Sequence, residues 1–112
     1  MILYQPPNEG LADFHIGQIV LHRRYGYRGV VVAYDLRCEA SNGWYESNQS
    51  QPDRSQPWYH VLVDGSHHTT YAAQSSLVLE ADLSPVTHPL LGAFFSEFRG
   101  GHYVRNGRPW EV

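Results

Sequence analysis

Three guanidinium groups and two phenols fall within one short stretch, His22-Arg23-Arg24-Tyr25-Gly26-Tyr27-Arg28. Arginine and tyrosine combine flat contact area with directional hydrogen bonds, which is the chemistry of recognition rather than of bond-making. Two uses fit these residues. They can anchor a protein partner, or the arginines can contact phosphates while the tyrosines stack on a base. The plainer alternative is a solvated hairpin end whose tyrosines cover one end of a small fold. A second candidate surface is Trp44-Tyr45, the only large apolar pair inside the polar stretch 36–57. The candidate partner- or DNA-binding residues are therefore Arg23, Arg24, Tyr25, Tyr27, Arg28, Trp44 and Tyr45.

No catalytic, metal or cofactor site is expected. Cys38 is the only cysteine, so a Cys-based zinc site and an intrachain disulfide are both excluded. His67 and His68 are adjacent, and neighbours on a strand point to opposite faces, so they cannot chelate one ion together in regular structure. A nucleophilic role for Cys38 would need a histidine delivered by the fold, and a surface thiol or small packing residue is the simpler reading. The only close acidic pair, Glu80 and Asp82, reads as solvated charge at a strand end. A non-enzymatic binding module is the expectation.

The formal net charge is −3, and all eight basic residues are arginine. A protein that coats nucleic acid normally carries a positive excess, because its affinity comes from neutralising phosphates. Locally the balance differs: Arg23, Arg24 and Arg28 meet no acid before Asp35, and Arg99, Arg105 and Arg108 occupy a second basic segment. At 112 residues, with 42% apolar and 17% charged residues, the chain is one folded domain. No basic start with a following apolar stretch marks a signal peptide, and no run reaches the roughly 18 apolar residues of a membrane span. A cytoplasmic protein is expected.

These side chains need a scaffold. Two β-branched runs flank the arginine–tyrosine stretch and predict strands over residues 18–23 and 29–35, with Gly26 and Gly29 supplying the return. Further strands are predicted over 58–64, 69–73 and 77–80, the long polar loop 36–57 lying between the second and third. The expected fold is mainly β: a small five-stranded, SH3-like antiparallel barrel with one C-terminal helix. Residues 1–13 read as a leader and 14–112 as the domain, with the barrel core over about 14–80. Leu90, Leu91, Phe94, Phe95 and Phe98 recur at helical spacing, so a helix is predicted after His88-Pro89, closed by Gly100-Gly101 and followed by an arm, over about 88–112.

The chain resembles the HspQ/YccV-like family, also called the hemimethylated-DNA-binding domain. The match rests on Phe14-x-x-Gly17-x-x-Val20-x-His22, Gly26-Tyr27-x-Gly29-Val30-Val31, the Tyr34-Asp35 pair, Trp58-Tyr59-x-Val61-Leu62-Val63, and Tyr71-x-Ala73 before Leu77. Many members have tryptophan where this chain has Tyr34. His88-Pro89, Phe95, Phe98, Gly100, Tyr103 and Asn106 resemble the longer version found beside F-box modules in eukaryotes. The resemblance implies a small barrel with a long loop between its second and third strands. It also implies two activities of different kinds. One is recognition of hemimethylated DNA; the other is service as an adaptor or specificity factor for ATP-dependent proteases of the Lon or Clp type in protein quality control and the heat-shock response. Trimers are implied as well. Net charge favours the protein partner, a protease or its substrate, and the clustered arginines keep DNA as the alternative.

Overall fold

The computed structural model describes residues 12–111, so the leader expected over residues 1–13 lies almost wholly outside the described residues. Five strands form one antiparallel sheet: β1 (Ile19–His22), β2 (Arg28–Asp35), β3 (Trp58–Val63), β4 (Thr69–Ala73) and β5 (Leu77–Leu79), in the order β4-β3-β2-β1-β5. The mainly β, five-stranded antiparallel reading therefore holds. The two outermost strands, β4 and β5, are joined only by the 3-10 turn Gln74–Ser76, so the sheet must curl on itself. They do not pair with each other, and the barrel is not closed by hydrogen bonds.

Alternation along the strands gives the sheet two buried faces. Val20, Val31, Tyr59, Val61, Ala72 and Leu77 pack with Phe14 on the inner face. Ile19, Val30, Val32 and Leu62 pack outward against Val86, Phe95 and Tyr103. A bulge in β2 between Val31 and Ala33 shifts the register, so that Ala33 pairs with His60 and Asp35 with Trp58. One extra residue inverts which face the following side chains join. The bulge thereby sets Asp35 on the outer face, beside His60.

The chain after β5 departs from expectation. The helix predicted over about 88–100 is a single turn, α2 (Leu91–Phe94). A hairpin follows, β6 (Phe95–Arg99) and β7 (His102–Arg105), and Gly100 and Gly101 make its tight return at φ +60° and +87° instead of ending a helix. The three-residue step from Phe95 to Phe98 mimics a helical stripe. In fact a bulge between Phe95 and Glu97 brings both rings onto Tyr103, at centroid distances of 5.4 and 4.7 Å. The hairpin covers the outer face of the sheet, and Gly17 makes that docking close. Its backbone exchanges hydrogen bonds with Val31 and Tyr103, and a Cβ there would sit 2.1 Å from the Tyr103 carbonyl oxygen.

Gly29 likewise serves close approach rather than the turn. It lies within β2, where a Cβ would meet the Leu62 carbonyl oxygen at 2.4 Å. The long loop carries a short helix, α1 (Asn42–Ser47), capped by Ser41, whose hydroxyl accepts from the Trp44 N–H at 3.2 Å. Cys38 is buried against Trp58 and Ala73 beneath this loop, as a packing residue.

Candidate functional site

The sequence-selected residues separate into three groups. Arg28 is withdrawn into the scaffold. Its side chain is 16% exposed, and Nη1 donates to Asp64 Oδ2 at 2.8 Å. Nη2 bonds the carbonyls of Asp82, at 2.9 Å, and Ser84. Asp64 in turn accepts from the Thr87 N–H at 2.7 Å, and these bonds, with Arg28 and the Thr87 hydrogen bond, hold its carboxyl below the usual range against the opposing cost of burial. Arg28 thus fastens residues 82–87 to the sheet and is not at the hairpin's recognition surface.

Tyr45 is the second withdrawal. Its hydroxyl is shared between the carbonyls of Gln51 and Pro52, its ring packs on Trp58, and the Arg54 guanidinium lies 4.8 Å above it. It holds the loop together. Arg23 and Arg24 form the second group. Both are exposed: Arg23 reaches only the Ser75 carbonyl at 3.3 Å, and Arg24 lies 5.9 Å from the Tyr25 ring centroid.

The remaining three, Tyr25, Tyr27 and Trp44, line one groove of about 670 Å³. One wall comes from the hairpin tip, where the His22 ring is stacked between Tyr25 at 4.7 Å and Tyr27 at 5.0 Å. His22 orders the tip as well, because its Nδ1 accepts from the N–H groups of Arg24 and Tyr25 at 3.2 and 3.1 Å. Burial, with the nearby Arg24 charge, lowers its pKa and keeps the ring neutral, which that acceptor role requires. Tyr27 is pinned by a 2.7 Å hydrogen bond between its hydroxyl and Thr70 Oγ1 on β4. Burial raises the Tyr27 phenol above its ordinary pKa.

Trp44 on α1 makes the opposite wall, 5.7 Å from the Tyr71 ring. Sequence reasoning missed the groove's other residues, His60, Tyr71, Trp110 and Asp35. His60 stacks on Tyr71 at 4.4 Å and meets Trp110 at 5.4 Å. Tyr71 donates to Asp35 Oδ2 at 2.6 Å, and His60 Nε2 lies 3.6 Å from the same oxygen. Burial first, and the Asp35 bond second, drive the Tyr71 phenol far above its ordinary range. For His60 burial lowers the pKa and outweighs the pull of Asp35 in the other direction. Both groove histidines are therefore neutral at neutral pH, while Asp35 and Glu39 bring carboxylates to a lining that holds no arginine or lysine. Trp58 and His60 hold alternate positions of β3, a pattern visible in the sequence, but only pairing with β4 could set them against Tyr71, beside Trp44.

A groove of neutral aromatic rings bordered by two carboxylates is suited to binding. Among the described residues, no group of three His, Cys, Asp or Glu side chains could hold a metal ion, and no helix is long and apolar enough to cross a membrane.

Comparison with known proteins fits a binding role. The chain is 40% identical over 97 residues to F-box only protein 21 of Homo sapiens and of Pongo abelii, and 39% identical over the same length to that of Mus musculus. The matches take in 83% of this chain but 15% of each relative, so the chain spans about a seventh of the proteins it matches. The family model described as "Hemimethylated DNA-binding protein YccV like" matches residues 12–102, and the chain belongs to this YccV-like family of binding domains.

Proposed function

We propose that the protein is a protein–protein adaptor that uses the aromatic groove to hold a segment of a partner, delivering it to an ATP-dependent protease or docking on the protease itself. The observation that carries this reading is the convergence of Tyr25, Tyr27 and Trp44, from two separate chain segments, on one groove. Concave, mostly apolar sites with a few placed polar groups are the usual form of a binding site. Aromatic anchors supply most of the energy in such interfaces. The groove's carboxylates and its lack of arginine or lysine make it a poor cradle for phosphates. The trimer implied by the resemblance and the cytoplasmic setting expected from the sequence belong to the same proposal.

The second reading is DNA recognition. It is supported by the family's description and by the exposure of Arg23 and Arg24 at the hairpin tip. With Arg28 held by Asp64, two tip arginines remain for phosphates. A salt dependence with a log–log slope of about −1.8 is then expected for duplex binding.

One experiment separates the two. Wild type, Trp44→Ala and Arg23→Ala/Arg24→Ala are compared for retention of purified protease and substrate candidates and of a hemimethylated duplex. Loss of protein partners in Trp44→Ala alone, with no duplex retention at low salt, supports the adaptor. Duplex retention abolished only by the double arginine variant supports DNA. Protein partners retained undiminished by Trp44→Ala overturn the groove as the adaptor site.

A further inference from the structure

The groove follows the unpaired edge of β4. Four consecutive residues of that strand, Thr69 to Ala72, line it, and a smaller adjoining cleft reaches Ala73 and Ser76. Side chains of successive strand residues point to opposite faces, so a cavity touching all four must run along the edge and not over one face. β4 is the outermost strand of the sheet. Two backbone bonds bracket it, Val63 N–H to the His68 carbonyl at 3.1 Å and Gln74 N–H to the Pro57 carbonyl at 2.9 Å. With the pairings Val61–Thr70 and Tyr59–Ala72, they fix the parity of the ladder. The backbones of His68, Thr70, Ala72 and Gln74 turn toward β3, and those of Thr69, Tyr71 and Ala73 turn outward. The Ala73 carbonyl opens the 3-10 turn that follows, and among the described residues no hydrogen bond reaches the outward N–H and C=O groups of Thr69 and Tyr71 or the outward N–H of Ala73.

Exposed edges are ordinarily protected by charge, proline, bulges or brevity. The opposite edge follows that rule: β5 has three residues and runs into Glu80 and Asp82. β4 does not. Its sequence Thr-Thr-Tyr-Ala-Ala has no charge and no proline, and its pairing with β3 is unbroken by a bulge. It is recessed instead between the His22–Tyr25–Tyr27 stack on one side and Trp44, His60 and Tyr71 on the other.

We infer that the occupant of the groove is an extended peptide segment of a partner protein, added to β4 as a further strand and carrying an arginine or lysine toward Asp35 and Glu39. This rests on the groove being the adaptor site. An added strand lies about 4.8 Å from β4, and its alternate side chains project toward the two aromatic walls in turn. The outward groups from Thr69 to Ala73 cover about 13 Å, enough for a five-residue contact at roughly 3.3 Å per residue. A planar guanidinium suits aromatic walls bordered by carboxylates, since it stacks on rings while donating in plane.

The probe is a set of acetylated and amidated nine-residue peptides that vary Arg, Lys, Leu, Phe and Asp along an extended scaffold, screened on the full chain. The tightest binder is measured by fluorescence anisotropy and rebuilt with single backbone N-methyl groups along its length. Strand addition predicts roughly tenfold weaker binding for N-methylation at every second residue, with little change between them. Replacing the basic residue with citrulline or norleucine should weaken binding roughly fivefold. Thr69→Pro, at an exposed first strand position where proline removes an outward donor and no ladder bond, should weaken it similarly without loss of Tm.

An N-methyl series without two-residue alternation overturns strand addition, and the groove itself survives if Trp44→Ala still abolishes binding. Preference for acidic peptides overturns the cationic assignment. Self-association blocked by Thr69→Pro, or a duplex that competes for the site, overturns the partner peptide. Failure of every peptide, or a binder indifferent to Trp44→Ala, overturns the groove reading together with this inference.

Discussion

The outer face of the sheet has a closed half and an open half, built from similar residues with opposite consequences. In the closed half Phe95 and Phe98 meet Tyr103, whose hydroxyl accepts from the Val86 N–H at 2.8 Å and reaches the Val86 carbonyl at 3.2 Å. The hairpin above them removes the rings from water. In the open half His60 stacks on Tyr71, Trp44 meets the same ring at a tilt, and nothing among the described residues covers the groove they border. Trp110 joins the halves, packing on Phe94 at 5.3 Å and on His60. Aromatic content alone therefore does not separate core from site. What separates them is whether the chain supplies a lid.

If that division is real, damage to the closed half should cost stability and damage to the open half should cost binding. The largest effect is expected from Gly17→Ala, because the new Cβ would collide with the Tyr103 carbonyl at φ +99°, where L residues are already strained. A loss of about 3 kcal/mol in denaturant unfolding is expected, combining overpacking and backbone strain. A loss below about 1 kcal/mol would break the claim that the hairpin is docked there.

Arg28→Ala comes next. It strands the Asp64 carboxylate and frees the carbonyls of residues 82 and 84, so about 2 kcal/mol is expected, with peptide or partner binding unchanged after correction for unfolding. Partner loss without destabilisation would return Arg28 to the recognition surface.

The pH dependence is smaller and belongs to the open half. His22 and His60 have pKa values lowered by burial, so below the ordinary value of 6.5 the unfolded chain takes up protons first. Their contribution to stability is constant above that pH and is lost as pH falls from about 6.5 toward the folded values. Tm should drop on acidification through this window, and His60→Asn should flatten the drop. A Tm rising through the same window would show that the rings are charged in the fold.

The smallest stability change is expected for Trp44→Ala. Trp44 is 37% exposed on a six-residue helix with no buried residue, and a loss of about 1 kcal/mol or less is expected in thermal melts. Binding should nevertheless be abolished. A large destabilisation would make Trp44 a core residue and close the open half.

The five strands were legible because β-branched alternation and turn residues are local signals, and the first hairpin, the third strand and the fourth strand fall within a residue or so of the predicted bounds. The C-terminal hairpin was not. Phe95 and Phe98 have helical spacing, and a bulge that exists only when β7 pairs with β6 is what puts them on one face. The candidate site was half legible. Tyr25, Tyr27 and Trp44 line the groove, Arg23 and Arg24 stand exposed, and Arg28 and Tyr45 serve the scaffold.

Composition and local patterning by themselves determined a β-rich domain with arginine and aromatic side chains offered at a tight turn. Only tertiary structure decided which of them remain available. Arg28 is claimed by Asp64, 36 positions away; the β2 bulge turns Asp35 toward Tyr71; and sheet order leaves β4 at an edge. Each is a non-local pairing, set when distant segments compete to satisfy the same buried charges and backbone groups, and no window of sequence contains both partners.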